Sequence, residues 1–207
     1  MATNNQSQAS KLITILIPAY NEQDVLGQLI SRLEDVRVSN VLYDFEFLFV
    51  NDGSDDETIQ LLQKYSERTP YIRYIDLSRN FGKEIAMLAG FDYAKGEAVV
   101  ILDADLQQPP ELIGEMIEWW EKGYEDIYAV RAKRDGESRL KKWTSNAYFN
   151  VLQKISSEEV YPLAGDFRLL DRKCVKALQE LRETERYTKG MYGWIGFKKK
   201  GTDLLCG

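Results

Sequence analysis

The 207-residue chain is predicted to be an α/β domain, a mostly parallel central sheet with helices on both faces. Three observations carry this. Short apolar, β-branched runs alternate with segments whose apolar residues fall at helical spacing. The alternation is regular from Leu12 to Val130. Each distinctive polar motif directly follows an apolar run, at the carboxyl edge where open parallel sheets bind ligands.

The elements follow in order. Leu12–Ile17 is a strand closed by Pro18. Val25, Leu26, Leu29, Ile30 and Leu33 mark the first helix. Phe45–Val50 is the second strand, ending at Asn51-Asp52-Gly53-Ser54. Ser54 or Asp55 is expected to cap a helix carrying Ile59, Leu62 and Tyr65. Tyr71–Leu77 is the third strand. Gly82 opens a helix through Ile85, Ala86, Leu88 and Ala89. Ala98–Leu102 is the fourth strand. Pro109-Pro110 starts a helix ending near Gly123, and Asp126–Val130 is the fifth strand.

Beyond it the composition changes. Arg131, Lys133, Arg134, Arg139, Lys141 and Lys142 form a basic segment opposed only by Asp135 and Glu137. It leads into a helix with Trp143, Ala147, Tyr148, Val151 and Leu152 on one side. Gly165-Asp166-Phe167-Arg168-Leu169 follows, then a helix around Lys173–Leu181. Tyr187 to Gly207 is rich in aromatics and glycine. With no repeat and no linker, residues 11–207 read as a single domain and residues 1–10 as a disordered tail.

Composition narrows the function. A net charge of −6 argues against a nucleic-acid footprint. The chain has no histidine, which excludes a Ser-His-Asp triad and histidine-metal or histidine acid–base chemistry. Cys174 and Cys206 show no Cys-x-x-Cys spacing, so a reducing cytoplasm is expected, with Cys174 in a helix core. No run approaches the roughly eighteen apolar residues of a membrane span, and the chain is expected to be soluble.

The most informative stretch is Val99-Val100-Ile101-Leu102-Asp103-Ala104-Asp105-Leu106-Gln107. A buried strand would end by pushing two carboxylates into a cleft. Such carboxylates repel unless a cation lies between them. Hard oxygen ligands suit Mg²⁺ or Mn²⁺, ions that usually serve substrate phosphates. Gln107 is either a neutral third ligand or a bystander. Asp52 suits a turn, yet a carboxylate at that edge can also accept hydrogen bonds from a nucleobase. Glu22 is either a first-turn acid or a ligand of ribose hydroxyls. The basic segment is either a solvated face or a screen for diphosphate charge. Asp166 is either a site acid or a buried partner of Arg168.

Pro-Ala-Tyr-Asn-Glu (18–22), Val-Asn-Asp-Gly-Ser (50–54), Ser-Arg-Asn-Phe-Gly-Lys-Glu (78–84), Leu-Asp-Ala-Asp-Leu-Gln-Gln-Pro-Pro (102–110) and Gly-Asp-Phe-Arg-Leu (165–169) occur in order. Together they resemble the family 2 glycosyltransferases with a GT-A fold. Within it they are most similar to polyisoprenyl-phosphate glycosyltransferases, the bactoprenol glucosyltransferases and dolichol-phosphate mannose synthases. The resemblance runs from about Lys11 to about Gly196.

It implies that the Pro18 backbone, Tyr20, Glu22 and Asp52 hold the donor nucleoside, with Asp103 beside them. Asp103 and Asp105, with Gln107, would hold Mn²⁺ or Mg²⁺ on the diphosphate. Arg131 would contact the β-phosphate. Lys141 and Ser145 would grip the acceptor phosphate, and Asp166 matches the acid assigned as base. The implied reaction is inverting transfer of a hexose from a nucleotide sugar of the UDP-glucose type to a polyisoprenyl phosphate. Its site would be the cytoplasmic face of the membrane. Two further readings stand beside it: a soluble enzyme acting on a saccharide hydroxyl, and a non-catalytic nucleotide-sugar-binding fragment. Bactoprenol-type members continue into membrane helices, and that segment is expected to be missing here. No nucleic-acid partner is expected, and homo-oligomer formation is left open.

Overall fold

A computed structural model describes residues 10–131, 164–181 and 188–204. Seven strands among them form one sheet: β1 (Lys11–Ala19), β2 (Tyr43–Asn51), β3 (Ile72–Asp76), β4 (Ala98–Ile101), β5 (Asp126–Arg131), β6 (Ala164–Asp171) and β7 (Lys199–Leu204). The helices are α1 (Leu26–Ser39), α2 (Thr58–Arg68), α3 (Lys83–Tyr93), α4 (Ile113–Glu121), α5 (Arg172–Glu180) and α6 (Thr188–Trp194).

The sheet order is β3-β2-β1-β4-β6-β5-β7. β1 pairs in parallel with β2 and β4, and β2 with β3. Ile13 through Ile17 are all buried, and all but Thr14 are apolar, the signature of a strand covered on both faces. Ile13, Ile15 and Ile17 pack with Leu26, Leu29 and Leu33 of α1 and Met116 of α4 on one face. Leu16 packs with Met87 and Phe91 of α3, Val175 of α5 and Tyr192 of α6 on the other. A Cβ at Gly90 would run into the Leu16 side chain, so the missing Cβ lets α3 lie close on β1.

Two strands escape the sequence reading. β6 runs antiparallel between β4 and β5. Its polar residues Asp166, Arg168 and Asp171 disguise it. Arg168 is nonetheless 3% exposed, because its guanidinium reaches both carboxylate oxygens of Asp126 at 3.1 Å. Burial pushes the Asp126 carboxyl upward, and Arg168 opposes that shift. Arg168 therefore pairs with Asp126, not with Asp166 as the sequence alternative had it. β7 lies beside β5 with almost no apolar pattern, as an edge strand permits.

The start of α2 also differs from expectation. It begins at Thr58, and Asp56 accepts the Thr58 amide at 2.9 Å. Ser54 and Asp55 are not its caps; they tie loops together, as described next. Cys174 lies fully buried in α5, as expected. No helix among the described residues is long and apolar enough to cross a membrane.

Candidate active site

The parallel strands bring the loops after β1, β2 and β4 to one edge. Serine and asparagine side chains lock the first two together. The Asn21 amide donates to Ser54 Oγ at 2.9 Å, and Ser54 Oγ donates to Asn51 Oδ1 at 2.5 Å. The Asp55 amide donates to Asn21 Oδ1 at 2.8 Å. Asn21 adopts φ 56°, a left-handed conformation uncommon outside glycine. The Glu22 amide donates to Thr58 Oγ1 at 2.9 Å, which fixes the Glu22 backbone against the start of α2.

Asp52 is 4% exposed. Its two carboxylate oxygens accept the amides of Phe81 and Gly82, each at 2.8 Å. These amides precede α3, so the carboxylate also meets the positive end of that helix. Gly53 has φ 68° and lies so close to the Arg79–Asn80 backbone that a Cβ would collide with it. The Asn51–Ser54 and Ser78–Gly82 loops are thus docked through Asp52 and Gly53.

The antiparallel β6 completes the edge. Ile101 pairs with Arg168, and continuing that register sets Asp103 opposite Asp166. Lys83, the first residue of α3, bridges the two acids. Its Nζ is 2.5 Å from Asp103 Oδ1 and 2.9 Å from Asp166 Oδ2. Burial alone would lower the Lys83 pKa, but hydrogen bonds and charge from Asp103 and Asp166 outweigh it and the net shift is upward. Gln108 holds Asp103 reciprocally: its Nε2 donates to Asp103 Oδ2 at 2.9 Å, and its Oε1 accepts the Asp103 amide at 3.0 Å. Asp105 accepts the Gln107 amide at 3.0 Å across Leu106, whose φ is 61°.

The acids feel one another. Burial, followed by the charges of Asp105, Asp56 and Asp103, lifts the Glu22 carboxyl above its ordinary range. A divalent cation would relieve that repulsion, and hard carboxylate oxygens suit Mg²⁺ or Mn²⁺. The donor chemistry fits such an ion. Among the described residues, no three acidic or thiol groups already converge on one point. Asp103 is instead engaged by Lys83 and Gln108.

The structure brings Pro18, Tyr20, Glu22, Asp52, Asp103, Asp105, Gln107 and Asp166 to this edge. Tyr20 is 41% exposed. The Gln107 side chain is exposed, and the glutamine that touches Asp103 is Gln108. Arg131 is the last residue of β5, which runs antiparallel to β6 and so ends at the same edge. Lys141 and Ser145 lie outside the described residues. Sequence reasoning gave no role to Lys83 or Gln108. Lys83 carried a faint signal as the lysine opening a helix after Gly82, whereas nothing separated Gln108 from Gln107. A groove of about 560 Å³ lined by Arg37, Tyr43, Phe45 and Tyr71 lies at the start of β2, away from this edge, and holds none of these acids.

Residues 14–179 match the model of glycosyl transferase family 2. The uncharacterized glycosyltransferase YkcC of Bacillus subtilis is 44% identical over 192 residues, covering 93% of this chain and 59% of its own length. The bactoprenol glucosyl transferase of Shigella phage SfV is 34% identical over 184 residues, covering 89% of this chain and 60% of its own. The chain therefore spans about three-fifths of the length of these curated relatives. Among solved structures, the mannosyltransferase PcManGT from Pyrobaculum calidifontis, in complex with GDP-Man and Mn²⁺, superposes with a TM-score of 0.66. That match covers 95% of this chain and 56% of the other at 18% identity, a likeness of fold. The sheet, its motif-bearing edge and the extent of the family match agree: the chain belongs to glycosyl transferase family 2 and has the GT-A fold.

Proposed function

We propose that the chain transfers a hexose from a nucleoside diphosphate sugar of the UDP-glucose type to a polyisoprenyl phosphate at the cytoplasmic face of a membrane. The observation that carries this is the gathering of Glu22, Asp52, Asp103, Asp105 and Asp166 on one sheet edge, in a chain 34% identical to a bactoprenol glucosyl transferase. The Pro18 backbone, Tyr20, Glu22 and Asp52 form the nucleoside side of the site. Asp103 and Asp105, with Gln107 nearby, would hold Mn²⁺ or Mg²⁺, which when bound stabilises charge on the leaving diphosphate. Arg131 serves the β-phosphate, and Lys141 with Ser145 the acceptor phosphate.

The reaction is a displacement at the sugar C1. The bond from C1 to the diphosphate oxygen breaks, and a bond to the acceptor oxygen forms with inversion. A phosphate acceptor has a second pKa of about 6 and is largely ionised near neutrality, so it needs no base. Asp166, paired with Lys83, then orients the reacting groups. For a saccharide hydroxyl a base is needed, and Asp166 is the candidate.

The experiment offers UDP-[¹⁴C]glucose and Mn²⁺ with either polyprenyl phosphate in detergent micelles or an oligosaccharide. The proposal expects label in the lipid fraction. Label only in the oligosaccharide supports the hydroxyl reading. Donor binding without transfer or hydrolysis supports the non-catalytic one.

A further inference from the structure

We propose that Lys83 is a built-in counter-ion that holds Asp103 until a divalent metal displaces it, and that it then stays with Asp166 as that acid's positioning residue. This rests on the reading of Asp103 and Asp105 as metal ligands. Lys83 Nζ makes ion pairs to both acids, at 2.5 Å to Asp103 and 2.9 Å to Asp166. Its reach is fixed from behind. The two amides before it are clamped by Asp52, and α3 starts at Lys83 itself.

Both Asp103 oxygens are occupied: Oδ1 by Lys83 and Oδ2 by Gln108. A metal bound by Asp103 would share one of these oxygens with the partner already on it. Gln108 holds its place through a second bond, to the Asp103 amide, whereas Lys83 has a second carboxylate to retreat to. An ammonium and a divalent ion on one carboxylate repel strongly at close range. Lys83 is therefore the group that yields. Lys83 leaves Asp103 and stays with Asp166, so metal occupancy and the orientation of Asp166 are coupled through one side chain.

The test measures Mn²⁺ binding by electron paramagnetic resonance on the wild type, Lys83→Met, Lys83→Arg and Asp105→Ala, with and without UDP. Circular dichroism confirms that each variant is folded. Removing the competing ion pair in Lys83→Met should tighten Mn²⁺ binding about fivefold, the range of one partly exposed ion pair. The same variant should lower kcat for transfer, because Asp166 loses its ion pair with Lys83. Lys83→Arg keeps a cation and should restore wild-type Mn²⁺ affinity. Mn²⁺ binding that is unchanged or weaker in Lys83→Met overturns the proposal, as does a tightening that Lys83→Arg shares. If the wild type binds Mn²⁺ and UDP normally and Lys83→Met matches it, only this inference fails. If the wild type binds no Mn²⁺ with UDP present, the metal reading of the site fails with it.

Discussion

Replacing Asp52 by alanine should destabilise the fold before it affects any ligand. The carboxylate is 4% exposed and accepts two amides at 2.8 Å. Hydrogen bonds to a charged group contribute about 1.5–3 kcal/mol each. The Gly82 amide has a second acceptor, Asn80 Oδ1 at 3.0 Å, so its loss costs less than that of Phe81. Taking about 2 kcal/mol for the Phe81 bond and about 1 kcal/mol for the Gly82 bond, Asp52→Ala should cost about 3 kcal/mol. Asp52→Asn keeps one acceptor oxygen and should cost about half as much. With a urea m-value of about 2 kcal/mol/M, the alanine variant should unfold about 1.5 M earlier. The assay is equilibrium urea unfolding followed by circular dichroism. UDP affinity should also fall, by about 1–3 kcal/mol, if the same carboxylate reads the base. A midpoint shift below about 0.3 M, with a large loss of UDP affinity, would contradict a structural role for the Asp52 carboxylate. It would mean that the carboxylate faces the ligand and not the loop.

Three further outcomes are expected. The Glu22 carboxyl is harder to ionise in the fold than in the unfolded chain, where its pKa is about 4.3. The resulting loss of stability is absent below that value and develops as the pH rises through the higher folded pKa. Glu22→Gln should therefore raise the metal-free thermal midpoint at pH 7 and lose that advantage near pH 4; an advantage constant with pH contradicts the assignment. Burial, with Asp126, Asp171 and Glu125 nearby, pushes the Cys174 thiol far above its ordinary range. In a Cys206→Ser background, Cys174 should not react with a disulfide reagent at pH 8 until the chain is unfolded, and native-state labelling would contradict its packing. Lys141→Ala combined with Ser145→Ala should raise KM for polyprenyl phosphate and leave KM for the nucleotide sugar nearly unchanged. A rise in the donor KM would instead assign the pair to the diphosphate.

What could be read from the chain follows its burial pattern. β1, β2 and β4 are hidden on both faces, so they stand out as apolar runs interrupted only by the buried Thr14 and Glu46, and the polar residues that stop them mark the ligand edge. The same contrast located Asp52, Asp103 and Asp105. β6 was missed because its buried polar residue is neutralised by a partner 42 positions away. No local window contains both Arg168 and Asp126. β7 was missed because an edge strand needs little apolar surface. Lys83 and Gln108 were missed for a related reason. Their roles arise from where α3 and the Gln108 loop place them in space, and neither residue type is unusual in its local sequence. Ser54 shows the opposite error, a residue given a helix-cap role that it spends instead on joining two loops.

The most direct test of the account is a calorimetric titration of UDP into the wild type and Asp105→Ala, with and without Mn²⁺. Mn²⁺ should strengthen UDP binding in the wild type and have no such effect in Asp105→Ala. Equal UDP affinity with and without Mn²⁺ in the wild type, or full Mn²⁺ dependence in the variant, would contradict it.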